Sequence, residues 1–432
     1  MLDINVIREN KEVLKTIASH KGINVPIDQL IEVDVKRRRL IQEIETIRAK
    51  KNTYIKEIKT YITSNNQNLI NEAKENVRKI NMDITERELK LKDIKDSFDK
   101  LMLLVPNFLS PDTPIGTSDE DNRILKIYGE VPHFSYEMKS HVDLGTELGI
   151  FDFERGVKVA GSRSYFLKNT GFMLNRAVQQ LTIDLLLNKG FDLMEVPLIV
   201  NKDMFTNTGF FPVGEDQSFH INDSNKYLVG TSEVPLISYY SNEIIEQPLP
   251  IKLASSSSCF RSEVGSAGRD VKGLYRVHQF SKVEQVVLCE NNVDVSNKIL
   301  VEITETAEEV LQLLELPYRI VQVCSKEMGQ GVYKKFDIET WMPSRNSYGE
   351  THSASNLLDF QSRRSNIRYK DNQGVLKYFH TLNCTAIASP RILIPLLEVH
   401  QQEDGSVYIP KALRKYLHNT DYLRQKENST HC

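Results

Sequence analysis

The sequence predicts an α+β protein: an antiparallel coiled-coil arm of two helices, then a larger domain of strands and helices. Three observations carry this. Two heptad runs flank one polar turn between residues 30 and 101. A strand–loop–strand pattern dense in charge spans 259–285. Lys335–Pro343 alternates like a strand, and the chain lacks the Gly-rich phosphate fingerprint of a dinucleotide-binding fold.

A chain of 432 residues has room for two domains and a sizeable core. Lys and Arg number 55 against 58 Asp and Glu, a net charge of −3, so any nucleic-acid surface must be a local patch. The five cysteines, at 259, 289, 324, 384 and 432, are scattered and lack metal-ligand spacing. This favours a reducing compartment and argues against zinc. With no charged-then-apolar leader and no apolar run of membrane-spanning length, the expected place is soluble and cytoplasmic, with no membrane partner.

Residues 1–25 carry a helical period in Ile4, Ile7, Leu14 and Ile17. With Leu30 as heptad position a, Leu30, Val33, Leu40, Ile44, Ile47, Tyr54, Ile58 and Tyr61 all fall on a or d; only Arg37 and Lys51 interrupt them. After the polar cluster Ser64–Asn68, a second seam runs through Ile70, Ala73, Val77, Ile80, Ile84, Leu91, Ile94, Phe98 and Leu101, interrupted by Arg87. Helices of about 33 residues give an arm of roughly 50 Å at 1.5 Å per residue. Basic residues stud it: Lys36, Arg37, Arg38, Arg39, Arg48, Lys50, Lys51, Lys56, Lys59, Lys74, Arg78 and Lys79. They are either solvated outer positions or a stripe for a phosphate backbone. Pro106, Pro111 and Pro114 end the second helix, placing a domain boundary near residue 110: 1–110, with the arm at about 30–101, and 111–432.

In the second domain, Phe172–Asn188 reads as an amphipathic helix, closed by Lys189-Gly190 and followed by a strand to Pro197. Thr231-Ser232-Glu233 has the form of a helix N-cap. The stretch Cys259–Gln285 joins strand-like ends through a middle containing Gly265, Gly268 and Gly273. It carries Arg261, Glu263, Arg269, Arg276 and Glu284. On composition alone it is either a hairpin that grips a polyanion or a salt-bridged surface hairpin. Asp294–Leu316 is an amphipathic helix, and Trp341, the only tryptophan, is expected in the core. The last dozen residues are expected to be disordered.

The stretch Cys-Phe-Arg-Ser-Glu … Gly-Arg-Asp … Arg-Val-His-Gln-Phe closely resembles motif 2 of class II aminoacyl-tRNA synthetases in its seryl form. The resemblance extends along nearly the whole chain. Residues 172–197 resemble motif 1, and Leu382–Glu398, with Arg391 after a loop of small residues, resembles motif 3. Thr231-Ser232-Glu233 matches the Thr-x-Glu triplet beside the amino-acid pocket. Glu350, Ser353, Ser355 and Asn356 match the family's Glu-Ile/Val-Ser-Ser-Cys-Ser-Asn, whereas Thr351, His352 and Ala354 depart from it.

The resemblance implies a class II catalytic domain, an antiparallel sheet flanked by helices, working as a homodimer through motif 1. It implies ATP-dependent activation of L-serine to seryl-adenylate, then transfer to tRNA(Ser) and tRNA(Sec), with the arm embracing the tRNA. Arg261 and Arg391 are the implied catalytic residues. Arg261 would hold the α-phosphate and the serine carboxylate, and Arg391 the γ-phosphate of a bent ATP. Glu263 would read the adenine amino group and Phe280 stack on the base; Ser262, Thr351 and His352 complete the ATP set. Thr231, Ser232, Glu233, Glu284, Asn383 and Thr385 would surround serine. Glu350 and Ser353 would hold Mg²⁺, a hard cation suited to oxygen donors. His352 either touches substrate or faces away. Cys384, where many members have Gly, would add bulk near the pocket and tighten it or change its substrate. Two other readings stand beside the ligase: a specialised paralogue serving a biosynthetic or inhibitor-resistance pathway, hinted at by Cys384, His352 and Ala354, and a non-catalytic tRNA-binding relative.

Overall fold

The computed structural model describes residues 1–265 and 273–425. Gly268 and Arg269, singled out above, lie outside the described residues, as does most of the tail. The chain forms two compact units, one of Asp3–Pro106 and one of Asn107 onward with Met1–Leu2.

The first unit opens with α1 (Ile4–Glu9) and α2 (Lys11–His20), which meet at Asn10. The arm is α3 (Ile27–Thr63) and α4 (Gln67–Leu104), with Asn66 Oδ1 accepting from the Leu69 N–H to cap α4. Their antiparallel pairing is visible in the side chains. Arg37 stacks over Phe98, 4.4 Å from the ring centroid, Arg87 reaches Glu43, and Arg48 meets Glu88 at 2.6 Å. Every heptad a and d position named above is buried or half-buried. Two of the charged interruptions are thereby explained: the Arg37 guanidinium stacks on an aromatic seam residue, and Arg87 crosses the seam to pair. A fully buried Asp34 beside the seam is matched by Arg8, Arg37 and Arg38 at 3.3, 2.7 and 3.1 Å. Ten of the twelve basic residues named above are exposed, whereas Arg37 and Lys51, which fall on the seam, are half-buried.

The second unit is built on one eight-stranded sheet. In chain order its strands are β1 (Arg123–Tyr128), β2 (Asp192–Leu193), β3 (Ile251–Phe260), β4 (Gln279–Cys289), β5 (Tyr318–Gln322), β6 (Lys334–Met342), β7 (Ser347–Asn356) and β8 (His380–Ser389). Across the sheet they run β1-β5-β6-β7-β8-β4-β3-β2, antiparallel throughout except for β2 beside β3. An antiparallel sheet flanked by helices is the architecture expected from the sequence. The helices of this unit begin with α5 (His141–Glu147), α6 (Phe153–Ala160), α7 (Thr170–Asn188), α8 (Lys202–Thr208) and α9 (Glu233–Ser238). They continue with α10 (Val293–Leu313), α11 (Phe360–Ser365) and α12 (Leu393–Val399). No helix among the described residues is long and apolar enough to cross a membrane.

The main core covers one face of the sheet. Leu174, Val178 and Leu181 of α7, Leu300, Ile303, Ala307, Val310 and Leu311 of α10, and Leu393–Leu397 of α12 pack on Val283, Val287, Ile338, Ala354, Leu382, Cys384 and Ala386. The 3.6-residue period of α10 supplies the apolar stripe, and Asn292 caps its start by accepting from the Asp294 and Val295 N–H groups. With this face sealed, the alternate residues of β4, β7 and β8 are left to form a cleft on the other. Two expectations fail here. Trp341 is half-buried, edge-on to Tyr348 with centroids 5.1 Å apart. Tyr422–Leu423, within the stretch expected to be disordered, pairs with Val407–Tyr408 and buries Leu423.

Candidate active site

A cleft of about 450 Å³ opens over β4, β7 and β8, lined by residues of motifs 2 and 3 together. Strand period decides which side chains face it. From β4 come Phe280 and Lys282; from β8, Asn383 and Thr385; from β7, Glu350, Thr351, Ser353 and Ser355. Glu350 and Ser353 are three apart and would fall on opposite faces of a regular strand. A bulge between Ile338 and Glu339 of β6 makes Ile338 face His352 and Glu339 face Glu350, so Thr351 is the extra residue. That insertion returns both oxygen donors to the cleft.

At one end the cleft is deep and polar. Lys282 Nζ lies 2.6 Å from Glu284 Oε2 and donates to Thr231 Oγ1 at 2.8 Å. Glu284 is fully buried and does not itself line the cleft. Asn383 Nδ2 donates to it at 3.0 Å and Thr385 Oγ1 at 3.3 Å, so the carboxylate orients these two lining groups from beneath. Glu233 lines the same end, 6% exposed, and accepts from Gln361 Nε2 at 2.6 Å. Burial first, and then the charge of Glu284, push its carboxyl up to about 7. Glu233, Glu284 and Lys282 together make a site short of one cation when both acids are ionised.

The other end is open and rich in guanidinium. Arg261, just past β3, donates from Nε to the Gly230 carbonyl at 3.3 Å and lies over the Phe280 ring, 5.2 Å from its centroid. Glu263 sits at φ +52°, an uncommon backbone for a side-chain-bearing residue, and pairs with Arg276 at 3.2 Å. Arg391 donates from Nε to the Tyr275 carbonyl at 3.0 Å and from a terminal nitrogen to the Glu350 carbonyl at 3.1 Å. Desolvation of the carboxyl works against the charge of Glu350, a residue otherwise exposed, yet Lys335, Arg391, Arg261 and Arg276 outweigh it and hold the carboxyl below its ordinary value. Asp337, one strand away and paired to Lys335 at 3.0 Å, is pushed up to about 6 by burial.

Of the residues singled out from sequence, Arg261, Glu263, Phe280, Thr231, Glu233, Asn383, Thr385, Glu350, Thr351, Ser353 and Arg391 line this one cleft. Four do not. Glu284 lies beneath it. Ser232, fully buried at the start of α9, makes no capping bond with its side chain and is turned away. Ser262 donates to the Asp216 carbonyl at 2.7 Å outside the lining. His352 is buried off the cleft beside Thr351, and burial lowers its ring to about 4, which leaves it neutral. Cys384, expected near the pocket, sits in the main core on the opposite face of β8 from Asn383 and Thr385. Lys282, Lys335 and Tyr275 were not singled out. Lys282 was legible, since it stands two residues from both Phe280 and Glu284 on one strand.

Residues 1–109 match the seryl-tRNA synthetase N-terminal domain, and residues 218–400 the tRNA synthetase class II core domain (G, H, P, S and T). The serine–tRNA ligase of Borrelia garinii subsp. bavariensis is 42% identical over 96% of this chain and 98% of its own. That of Deinococcus radiodurans is 40% identical over 98% and 99%. The crystal structure of seryl-tRNA synthetase from Pyrococcus horikoshii complexed with ATP superposes with a TM-score of 0.91 at 35% identity, covering 99% of this chain and all of that one. The cytoplasmic serine–tRNA ligase of Naegleria fowleri, in complex with AMP, gives 0.86 at 29% identity, covering 99% of each chain. Sequence, fold and cleft agree: the chain belongs to the serine–tRNA ligase family, the seryl branch of the class II aminoacyl-tRNA synthetases.

Proposed function

We propose that the chain activates L-serine with ATP and transfers it to tRNA(Ser), and to tRNA(Sec) by the same shape. One observation carries this: a single cavity joins an acidic, hydroxyl-bearing end to an arginine-rich end. The first suits a small ammonium compound with a hydroxyl; the second suits a nucleoside triphosphate. Glu233, with Glu284 behind it, matches the serine ammonium. Thr385 and Asn383, oriented by Glu284, meet the side-chain hydroxyl. Arg261 stands where serine's carboxylate would meet the α-phosphate. Attack by that carboxylate on the α-phosphorus expels pyrophosphate, and the protein's part is to align the two and offset charge. Arg391 and Arg276 offset the charge of the leaving phosphates, while Phe280 and Glu263 take the adenine. The adenylate then acylates the terminal ribose of the tRNA.

Mg²⁺ fits Glu350 and Ser353, because the bulge at Thr351 turns both oxygens to the cleft. Among the described residues no group of three or more His, Cys, Asp or Glu forms a cage. Such an ion would therefore take its other ligands from phosphate and water, and it would supply further neutralisation of the phosphates.

The exposed basic stripe of the arm supports binding of the tRNA backbone, which is read by shape more than by base sequence. Phe172 and Leu187 of α7, Val157 and Val159 of α6, and Leu193 on the edge strand β2 are large apolar residues left exposed. Exposed apolar residues on these elements, α7 and β2 belonging to motif 1, support a homodimer. A cytoplasmic place, where tRNA and ATP are both at hand, is consistent with this reading, and no helix among the described residues is long and apolar enough to cross a membrane. The specialised-paralogue reading loses its support, since Cys384, His352 and Ala354 all lie off the cleft. A non-catalytic relative would have no use for the intact Arg261, Glu350 and Arg391. Serine-dependent exchange of label between pyrophosphate and ATP tests the proposal, and absence of exchange with any amino acid sinks it.

A further inference from the structure

Tyr275 belongs to the segment that returns to β4, and it lines two cavities. One is the catalytic cleft; the other, of about 620 Å³, is also bordered by His141, Ser344 and Arg345. Two guanidinium groups stack on its ring, Arg391 at 4.5 Å from the centroid and Arg345 at 4.3 Å. The Tyr275 carbonyl accepts from Arg391 Nε at 3.0 Å. The Glu350 carbonyl accepts from both the Tyr275 hydroxyl, at 3.4 Å, and Arg391, at 3.1 Å. Arg391 is thus fixed at two of its nitrogens and against one ring.

Tyr275 is fixed in turn through its neighbour. The Leu274 N–H donates to His141 Nε2 at 3.3 Å, which requires the imidazole tautomer that leaves Nε2 bare. Glu398 selects that tautomer: its Oε1 lies 2.7 Å from Nδ1 and also accepts from the His141 N–H at 2.9 Å. The Ser344 N–H and hydroxyl complete the carboxylate, at 2.9 and 2.8 Å. Burial opposes the charge of Glu398, but these bonds, His141 foremost, hold its carboxyl below the ordinary range. The approach is so close that a Cβ on Gly273 would lie 2.3 Å from His141 Nε2, and Gly273 sits at φ +79°.

We propose that Tyr275 is a positioning residue for Arg391, and that the buried His141–Glu398 pair sets Tyr275 in place through the Leu274 N–H. The proposal rests on the assignment of Arg391 to the phosphates of ATP. Its test is equilibrium binding of ATP beside that of serine, on folded variants of the full chain. Tyr275→Leu and His141→Ala should each weaken ATP roughly tenfold, the scale of one stacked cation. Serine binding should move far less. Tyr275→Phe, which keeps the ring, should recover most of the loss, as should His141→Gln, which returns an acceptor to Leu274. In an Arg391→Ala background neither Tyr275→Leu nor His141→Ala should cost anything further, because the tie ends at Arg391. Equal losses for ATP and serine, or the same tenfold loss without Arg391, would overturn the proposal. If His141→Ala does not fold, Tyr275→Leu decides alone. Should Arg391→Ala itself leave ATP binding intact, it is the assignment of Arg391 that fails.

Discussion

The two ends of the cleft hold their charges in opposite ways. At the amino-acid end Lys282, Glu284, Asn383 and Thr385 satisfy one another in a buried network. At the proposed phosphate end Arg261 and Arg391 are anchored by main-chain carbonyls and rings, and their charge stays available to the cleft. Each arrangement suits a different task. A buried hydrogen-bonding network rejects a ligand that leaves its groups unpaired, so it discriminates. An array of anchored cations neutralises whatever polyanion enters, so it drives chemistry with little discrimination of its own.

Breaking the phosphate end should have the largest effect. Arg391→Ala is expected to abolish serine-dependent pyrophosphate exchange, a loss on the order of a thousandfold or more in keeping with removal of a preorganised transition-state contact. Circular dichroism should show the fold unchanged. Exchange near the wild-type rate would remove Arg391 from the reaction. The same contrast recurs between the units. Deleting 30–101 should cut tRNA charging about a hundredfold or more while leaving exchange in place, and tRNA binding by the full chain should weaken steeply with salt. Unchanged kcat/KM for charging in the deletion would make the arm merely structural.

At the amino-acid end, Thr385→Val keeps volume and deletes a hydroxyl. A lost partner in a buried network costs about 1–3 kcal/mol, so kcat/KM for serine should fall roughly ten- to a hundredfold. Alanine should be little affected, having no hydroxyl to lose. Equal losses for both would mean a packing defect.

Glu233 sharpens the same end through pH. Its folded value of about 7 lies above the ordinary 4.5, so the folded state holds the proton more tightly than the unfolded one. Stability should therefore be greatest below about 4.5 as far as this group is concerned, and fall as pH rises to about 7. Glu233→Gln should flatten that slope by a few kcal/mol at most, and identical pH profiles of urea midpoint in both proteins would contradict the assignment. The smallest effect belongs to Cys384→Gly. Removing a small buried side chain from the middle of a strand should cost about 1–2 kcal/mol in stability, with no change of substrate selectivity. A broadened amino-acid range would put the thiol back at the pocket.

The arm was legible because its signal is local. A seven-residue repeat needs no partner to be read, and even the interruptions at Arg37 and Arg87 found partners within the same hairpin. The cleft was legible as a set of motif residues but not as a set of directions. Which way Glu350, His352 and Ser353 face depends on a bulge whose origin lies in the register against β6, a contact invisible in the residues of β7 alone. The placement of Cys384 follows from the pairing of β8 with β4 and β7, so its nearness in sequence to Thr385 misled. Lys282 was missed for a different reason: its two-residue spacing from Phe280 and Glu284 was in plain view and simply carried no expectation.

We propose that the buried end of this cleft selects serine while the open end turns ATP over. It is tested most directly by pyrophosphate exchange measured with each of the common amino acids in turn. Strong exchange is expected with serine, with alanine and threonine weaker by about two orders of magnitude or more, as for a site that hydrogen-bonds a hydroxyl it cannot leave unpaired. Comparable exchange with alanine, or strongest exchange with another amino acid, would contradict it.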